Sequence, residues 1–362
     1  MDRLSHSTPE ISVSNSSDNF ESTTALGSQA LKYAALVHDI LDPLIAHGSP
    51  VALFDFPNYS NVGDSAIWLG EEAFLSKRPD LHTVAVEDCG IRHYGLPDLP
   101  DSAIILIQGG GNLGDLWPHH QALREKLIGH YRQHRIIQLP QSIHFRDATN
   151  ADQCRDTFSG HPDFHLLVRD HDSLEQGQRL HQGPTYLCPD MALCLGHLPR
   201  TTPSRYPVVG LLRTDKEAIN DEAFPAPLGD TLIVDWIDES PSRTQQITKV
   251  IERIQIQYPR RSSILYGIKR RLYHQLAKER LKRGCDILSS GHVVITDRLH
   301  AHILCTLMGI PHVVLDNNYR KIGNFRDAWH TGENICASAS TLAEAKDKAE
   351  ELFNTFQASG PK

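Results

Sequence analysis

Short apolar runs punctuate the chain, each too short for a helix and each followed by a longer stretch with helical spacing. Val51–Phe56 (VALFDF), His82–Glu87, Ala103–Gln108, Arg135–Ser142 and His165–Asp170 read as buried strands. A helical pattern from Leu31 to Gly48 precedes the first of them. AIWLGEEAFLSK and Gln121–His134 carry helical patterns between them, and TYLCPDMAL closes the series. Gly196–Pro207 is rich in Pro, Thr and Ser and reads as a linker. The alternation then resumes. VVGLLR and DTLIVDW are strands, Ser242–Tyr258 a helix, and Lys269–Arg283 a basic helical stretch. His292–Asp297 is a strand, RLHAHILCTLMG a helix, PHVVLDN a strand, and TLAEAKDKAEELFNTF an amphipathic closing helix. Strands alternating with helices predict parallel βαβ units. The expected fold class is therefore α/β, with two Rossmann-like doubly wound lobes facing a central cleft at the carboxyl ends of their strands. The expected divisions are a disordered polar tail (1–24), an N-terminal lobe (25–195), the linker (196–207), a C-terminal lobe (208–340) and a closing helix and tail (341–362).

Composition narrows the class without naming a chemistry. The 362 residues suit about two domains, and a net charge of -8 gives no global affinity for nucleic acid. Seven cysteines without a C-x-x-C pair fit neither a disulfide framework nor a zinc ribbon, and favour a reducing compartment. No apolar h-region opens the chain and no apolar run reaches the roughly 18 residues a membrane span needs. The expected location is cytoplasmic. The basic stretch Arg260–Arg283 admits two readings, a solvated helix face, favoured, or contact with the anionic inner face of a membrane.

Four loops, each after a strand, carry candidate chemistry. NYSNVGD (Asn58–Asp64) opens a helix whose N-terminus suits an anion. Asp64 there is either the helix cap or a carboxylate facing the cleft. QGGGNLGD (Gln108–Asp115) brings Gly110, Gly111 and Asn112 to a point of close backbone approach, but lacks the dinucleotide spacing G-x-G-x-x-G. Arg169 and Arg213 stand at strand ends in opposite halves, and a guanidinium fork suits carboxylate or phosphate. TDRLHAH (Thr296–His302) places Arg298, Leu299 and His300 at a strand-to-helix junction. His300 and His302 diverge by about 200° on a helix, so they are not a metal pair, and no other ligand cluster demands an ion.

NVGDSAI, LIQGGGNLGD, QLPQSIHF, LVRDHDSLE, PDMAL, GLLRTDKE, VITDRLHAHILCTLMGIP and LDNNYRKIGNF follow one another in this order. The set resembles the polysaccharide pyruvyl transferase family, especially its bacterial exopolysaccharide members, from about Val51 to Trp329. The resemblance implies two lobes like those of nucleotide-sugar glycosyltransferases, with phosphoenolpyruvate between them as co-substrate and no resident cofactor or metal. It carries the donor contacts onto Asp64, Arg169, Arg298, Leu299 and His300, with Arg213 competing with Arg169 for the mid-chain role. The D-N-x-Y-x-K pattern falls on Asp316, Asn317, Tyr319 and Lys321, with Arg320 where family members often have Gly. The implied reaction moves the enolpyruvyl group to a saccharide, free or lipid-linked, with release of phosphate. His300 is the expected acid, Asp64 a possible proton acceptor, and Gly110, Gly111, Asn112, Gln141 and Ser142 the acceptor side. A nucleotide-sugar glycosyltransferase and a non-catalytic phosphosugar-binding module are the competing readings.

Overall fold

The structure, a computed structural model, describes residues 17–93, 95–214, 230–258, 262–316 and 320–358. Its mixed α/β chain forms two sheets in which every strand pair is parallel. The first sheet takes β1 (Pro50–Phe56), β2 (His82–Asp88), β3 (Ile104–Ile107), β4 (Gly110–Gly114), β5 (Arg135–His144), β6 (Phe164–Val168) and β7 (Thr185–Leu187). Their order is β2-β1-β3-β5-β6-β7, with β4 paired to the far end of β5. The second takes β8 (Tyr206–Leu211), β9 (Leu232–Val234), β10 (Gly291–Thr296), β11 (His312–Leu315) and β12 (Cys336–Ala339), in the order β12-β11-β10-β8-β9. Strands β1, β3 and β6 are buried along their whole length, which is why they read as unbroken apolar runs.

Helix α1 (Ser17–Leu41) begins inside the stretch expected to be disordered and ends where Pro43 removes a backbone donor. Helices α2 (Val62–Ser76), α3 (Pro118–His130), α4 (Ala148–Ser159) and α5 (His171–Leu180) serve the first sheet. Helices α6 (Arg243–Gln257), α7 (Ser262–Ser289), α8 (Leu299–Met308), α9 (Lys321–Trp329) and α10 (Leu342–Ala358) follow. Gly196 to Arg205, between β7 and β8, hold no helix or strand. No helix among the described residues is long and apolar enough to cross a membrane.

One apolar cluster joins the two sheets. It contains Trp68 and Phe74 of α2, Met191 to Cys194 of a short 3-10 turn, Tyr273 and Leu276 of α7, and residues of β8, β10 and α8. Phe56, at the end of β1, stacks on Tyr273 with ring centres 3.8 Å apart and meets Trp68 edge-on. Three glycines set the spacing around α2. Gly63 packs on the His300 ring, Gly70 on the Met191 carbonyl, and Gly284 of α7 on Val62. At each, an added side chain would overlap its neighbour.

Helix α7 leaves Arg271, Lys278 and Lys282 exposed, as a solvated face would, but spends four other cations on the fold. Lys269 is fully buried and pairs with Glu87 of β2, and Arg270 pairs with Glu72 of α2. Arg280 and Arg283 share Glu239 and donate to the carbonyls of Pro57 and Ser60. These cations tie α7 to the first sheet's loops. Arg260 and Arg261 lie outside the described residues.

Candidate active site

The loops at the carboxyl ends of the strands converge on a cavity of about 420 Å³. Asp64, Gly111, Asn112 and Arg169 line it from the first sheet's loops, and Arg213, Arg298, Leu299, His300 and Lys321 from the second. Both competing arginines, Arg169 and Arg213, therefore face the same space.

Asn61, not Asp64, caps α2: its side chain accepts from the N–H of Gly63 at 3.0 Å. Asp64 stands in the first turn of α2, where its carboxylate accepts from Asn61 at 2.7 Å and from the Tyr59 hydroxyl at 2.9 Å. Gly110, at φ 129°, adopts a backbone conformation that favours glycine. At Gly111 an added Cβ would lie 2.9 Å from Arg169 Nη2 and 3.2 Å from Lys321 Nζ. The absence of a side chain there lets these two cations approach the same point.

Arg169, only 2% exposed, donates from Nη1 to Asp190 at 2.6 Å and from Nε to Ser142 at 3.0 Å. His300, on the other side, sits with Nε2 3.4 Å from the same Asp190 oxygen. Burial alone would raise the Asp190 pKa. His300, Arg169 and the N–H of Ala192 outweigh it and hold the carboxyl well below its ordinary range. Arg298 is fixed by Asp235 at 2.6 Å and lies over the Trp236 ring. Asp297, beside it, is pushed up to about 6 by burial against the pull of Arg213 and Arg298.

Not every expected acceptor residue reaches this space. Gln141 is completely buried and does not line the cavity. Its amide bonds the Gln108 carbonyl, the Asn112 side chain and the Asn112 N–H. Arg124 completes that network through Gln138, Gln121 and Asn112. Ser142 lines an adjoining cavity of about 320 Å³ with Gly111, Asn112, Trp117, Asp172 and Lys321. Lys321 opens α9, whereas Asn317 and Tyr319 lie outside the described residues. His302 points the other way from His300, into the core, bonded to His312 and Thr331 at 2.7 Å each.

Asp55 and His120 are site residues that the sequence reading missed. Asp55, next to last in β1, has φ 74°, a conformation that costs an ordinary residue about 1–2 kcal/mol. It holds His120 Nδ1 at 2.7 Å, and His120 lines the cavity. Burial opposes the charged form of His120, but Asp55 outweighs it and the pKa rises. Cys89 lies close enough to make a three-donor group with them, its thiol pushed up to about 11 by burial first and then by Asp55. As it stands the His120–Asp55 contact is a hydrogen bond, shorter than the roughly 3.3 Å between two ligands of a tetrahedral zinc. The second group of this kind, His302, His312 and Cys336, spends its ring nitrogens on Ile310, Thr331 and each other.

Residues 61–319, which hold most of this lining, match the family model for polysaccharide pyruvyl transferases. The chain belongs to the polysaccharide pyruvyl transferase family. Its relatives include pyruvyl transferase 1 of Schizosaccharomyces pombe, 29% identical over 86% of this chain and 77% of that one. EpsO of Bacillus subtilis, described as a pyruvyl transferase, is 30% identical over 85% of this chain and 93% of that one. A functionally uncharacterised protein of Klebsiella pneumoniae shares the fold, with a TM-score of 0.55 at 16% identity over 90% of this chain and all of that one. The family makes the chain a transferase, and its cavity gathers three arginines, a lysine and three histidines around one small volume.

Proposed function

We propose that the cavity binds phosphoenolpyruvate and that the protein transfers its enolpyruvyl group to a saccharide, forming a pyruvate ketal and releasing phosphate. The observation that carries this reading is the convergence of Arg169, Arg213, Arg298, Lys321 and His300 on one cavity. A small donor with a carboxylate and a phosphate ester on the same carbon needs two anion grips close together, and guanidinium forks supply them. The two-lobe arrangement of a glycosyltransferase belongs to this reading, with the donor between the sheets.

Arg298, fixed by Asp235, holds the phosphate and stabilises it as it departs. Arg169 and Lys321, meeting at Gly111, hold the carboxylate. His300 protonates the terminal enol carbon, and the ionised Asp190 beside it stabilises the imidazolium that makes the transfer. An acceptor hydroxyl then bonds to the neighbouring carbon, and the carbon–phosphate oxygen bond breaks toward phosphate. A second hydroxyl closes the ketal. Of the two hydroxyl protons released, one balances the new methyl group and the other leaves on phosphate. The base nearest the acceptor side is His120. Asp55 fixes its Nδ1, which presents Nε2 to the cavity, the arrangement of a His–Asp pair in acyl transfer.

The reading applies in exopolysaccharide assembly, the setting that the resemblance to bacterial exopolysaccharide members implies. Its test is mass spectrometry of acceptor oligosaccharides after incubation with phosphoenolpyruvate. A mass gain equal to a pyruvyl ketal, with one phosphate released per ketal, is the expected result. Transfer from nucleotide sugars without any response to phosphoenolpyruvate would sink it.

A further inference from the structure

Helix α6 is built inside out. Its buried and bonded residues are polar: Thr248 and Gln255 face the protein, Thr244 donates to Glu279, and Glu252 accepts from Tyr273 and Asn58. Its outward residues include Ile247, Val250 and Ile254, which are 51%, 50% and 39% exposed. Tyr258, just beyond the helix, and Ile268 of α7 extend the apolar surface. A helix on a globular protein ordinarily shows the opposite arrangement, with its apolar stripe against the core. The charges on this helix are equally one-sided. Arg243, Lys249 and Arg253 are exposed, while the one acid of α6, Glu252, bonds inward.

We propose that α6 is the surface by which this transferase docks on an anionic lipid membrane. Apolar side chains in register with exposed cations, and no outward acid, are what an interfacial helix presents to acidic headgroups. The chain's net charge of -8 does not oppose this, because charges beyond a Debye length of about 8 Å are screened and the local cations decide. A second copy of the chain is the poorer occupant. A two-fold contact through α6 would bring Lys249 and Arg253 of both copies together with no acid of α6 to meet them.

The helix is also placed to matter for the cavity. Asn58 Nδ2 donates to Glu252 Oε1 at 2.7 Å, joining the inner face of α6 to the loop that carries Tyr59, Ser60 and Asn61 onto the cavity wall. Docking through α6 would bring that loop close to the headgroup layer, where a lipid-linked saccharide is presented. This last step rests on the proposed reaction, whereas the docking itself does not.

The test is co-sedimentation of the full chain with vesicles of phosphatidylcholine containing phosphatidylglycerol, at low and high salt, beside pure phosphatidylcholine vesicles. Binding to the anionic vesicles that weakens with salt is expected. Lys249→Gln with Arg253→Gln lowers it about 25-fold, at roughly fivefold per cation removed. Ile247→Ser with Val250→Ser and Ile254→Ser abolishes it with only a modest fall in melting temperature, because about half of each side chain is already exposed. Both variants keep the full rate of phosphate release with a soluble acceptor. Three results overturn the docking: no binding by the unmodified protein, equal binding to neutral vesicles, or a dimer of the unmodified protein that the serine variant converts to monomer. Vesicle binding without any ketal formation would instead overturn the reaction and leave the docking standing.

Discussion

Arg169 of the cavity and Lys269 and Arg280 of α7 are alike in burial and in having acidic partners, yet they are spent differently. Arg280 commits Nε and Nη2 to Glu239 and Nη1 to the Pro57 carbonyl, so its fork is saturated by protein. Lys269 is likewise enclosed between Glu87 and Gln255. Arg169 commits Nε and Nη1 to Ser142 and Asp190, but its Nη2 makes no hydrogen bond to a described residue and points at the gap left by Gly111. Neither charge nor burial distinguishes a cation that holds the fold from one that can hold a ligand. The direction and occupancy of its donors do.

The sharpest break in this comparison is on the cavity side. His300→Ala should lower kcat by about 10³-fold or more, the upper range for a general acid, while calorimetry shows phosphoenolpyruvate still bound. His302→Ala is its control. Because His302 is bonded to His312 and Thr331 in the core, that change should lower the melting temperature and leave kcat largely intact. Near-normal turnover in the His300 variant would remove it from the mechanism.

On the α7 side the expected loss is of stability. Lys269→Met leaves Glu87 buried without its cation and should cost about 3–5 kcal/mol in denaturant unfolding. Turnover at a temperature where the variant is folded should be unchanged. A smaller effect is expected at Gly111→Ala. Its methyl group would press on Arg169 and Lys321, so phosphoenolpyruvate affinity should fall about tenfold, roughly 1.4 kcal/mol, with little change in melting temperature. A loss of stability without a change in affinity would move Gly111 to the structural side of the comparison.

A further effect is in pH. Glu252 is pushed from 4.5 up to about 7, by burial first and then by Asp88. Its unfolded form ionises first, so the folded state binds more protons between those values. The contribution to stability is full below about 4.5 and is lost as pH rises through 7. Glu252→Gln should flatten that decline in melting temperature, and an unchanged profile would show that Glu252 is not its source.

Much of this was legible in the chain. β1, β2, β5 and β10 lie where apolar runs stand, because buried parallel strands need such runs on both faces. β4 was not legible. Its residues are the glycine loop itself, and glycine carries no strand preference, so only pairing with β5 makes it a strand. Cavity arginines, Asp64 and His300 were found because each follows a strand. Asp55 was missed because it sits inside the apolar run of β1, where only its positive φ marks it as unusual. His120 follows Pro118 and His119 with no spacing of its own, and long-range folding alone brings it to Asp55. Gln141 was assigned to the acceptor because amides suit sugars, but from within β5 it serves the backbone of its neighbours. Arg320 replaces an expected Gly and yet keeps the left-handed conformation, at φ 49°, that a Gly would take without cost.

The glycines around α2 have a mechanical consequence. Through Gly63, Gly70 and Gly284, this helix touches the His300 ring, the Met191 backbone and α7 with no intervening side chain to flex. It acts as a keystone, because a rotation that widened the cavity on this side would have to separate backbone-close contacts on three elements at once. Asp190 lies next to Met191 and His300 against Gly63, so the histidine and its carboxylate partner are gauged from one rigid rod. Their separation is then a manufacturing tolerance of the fold, and in the proposed reaction adjustment to acceptors of different size would fall to the far wall, around Trp117 and Lys321.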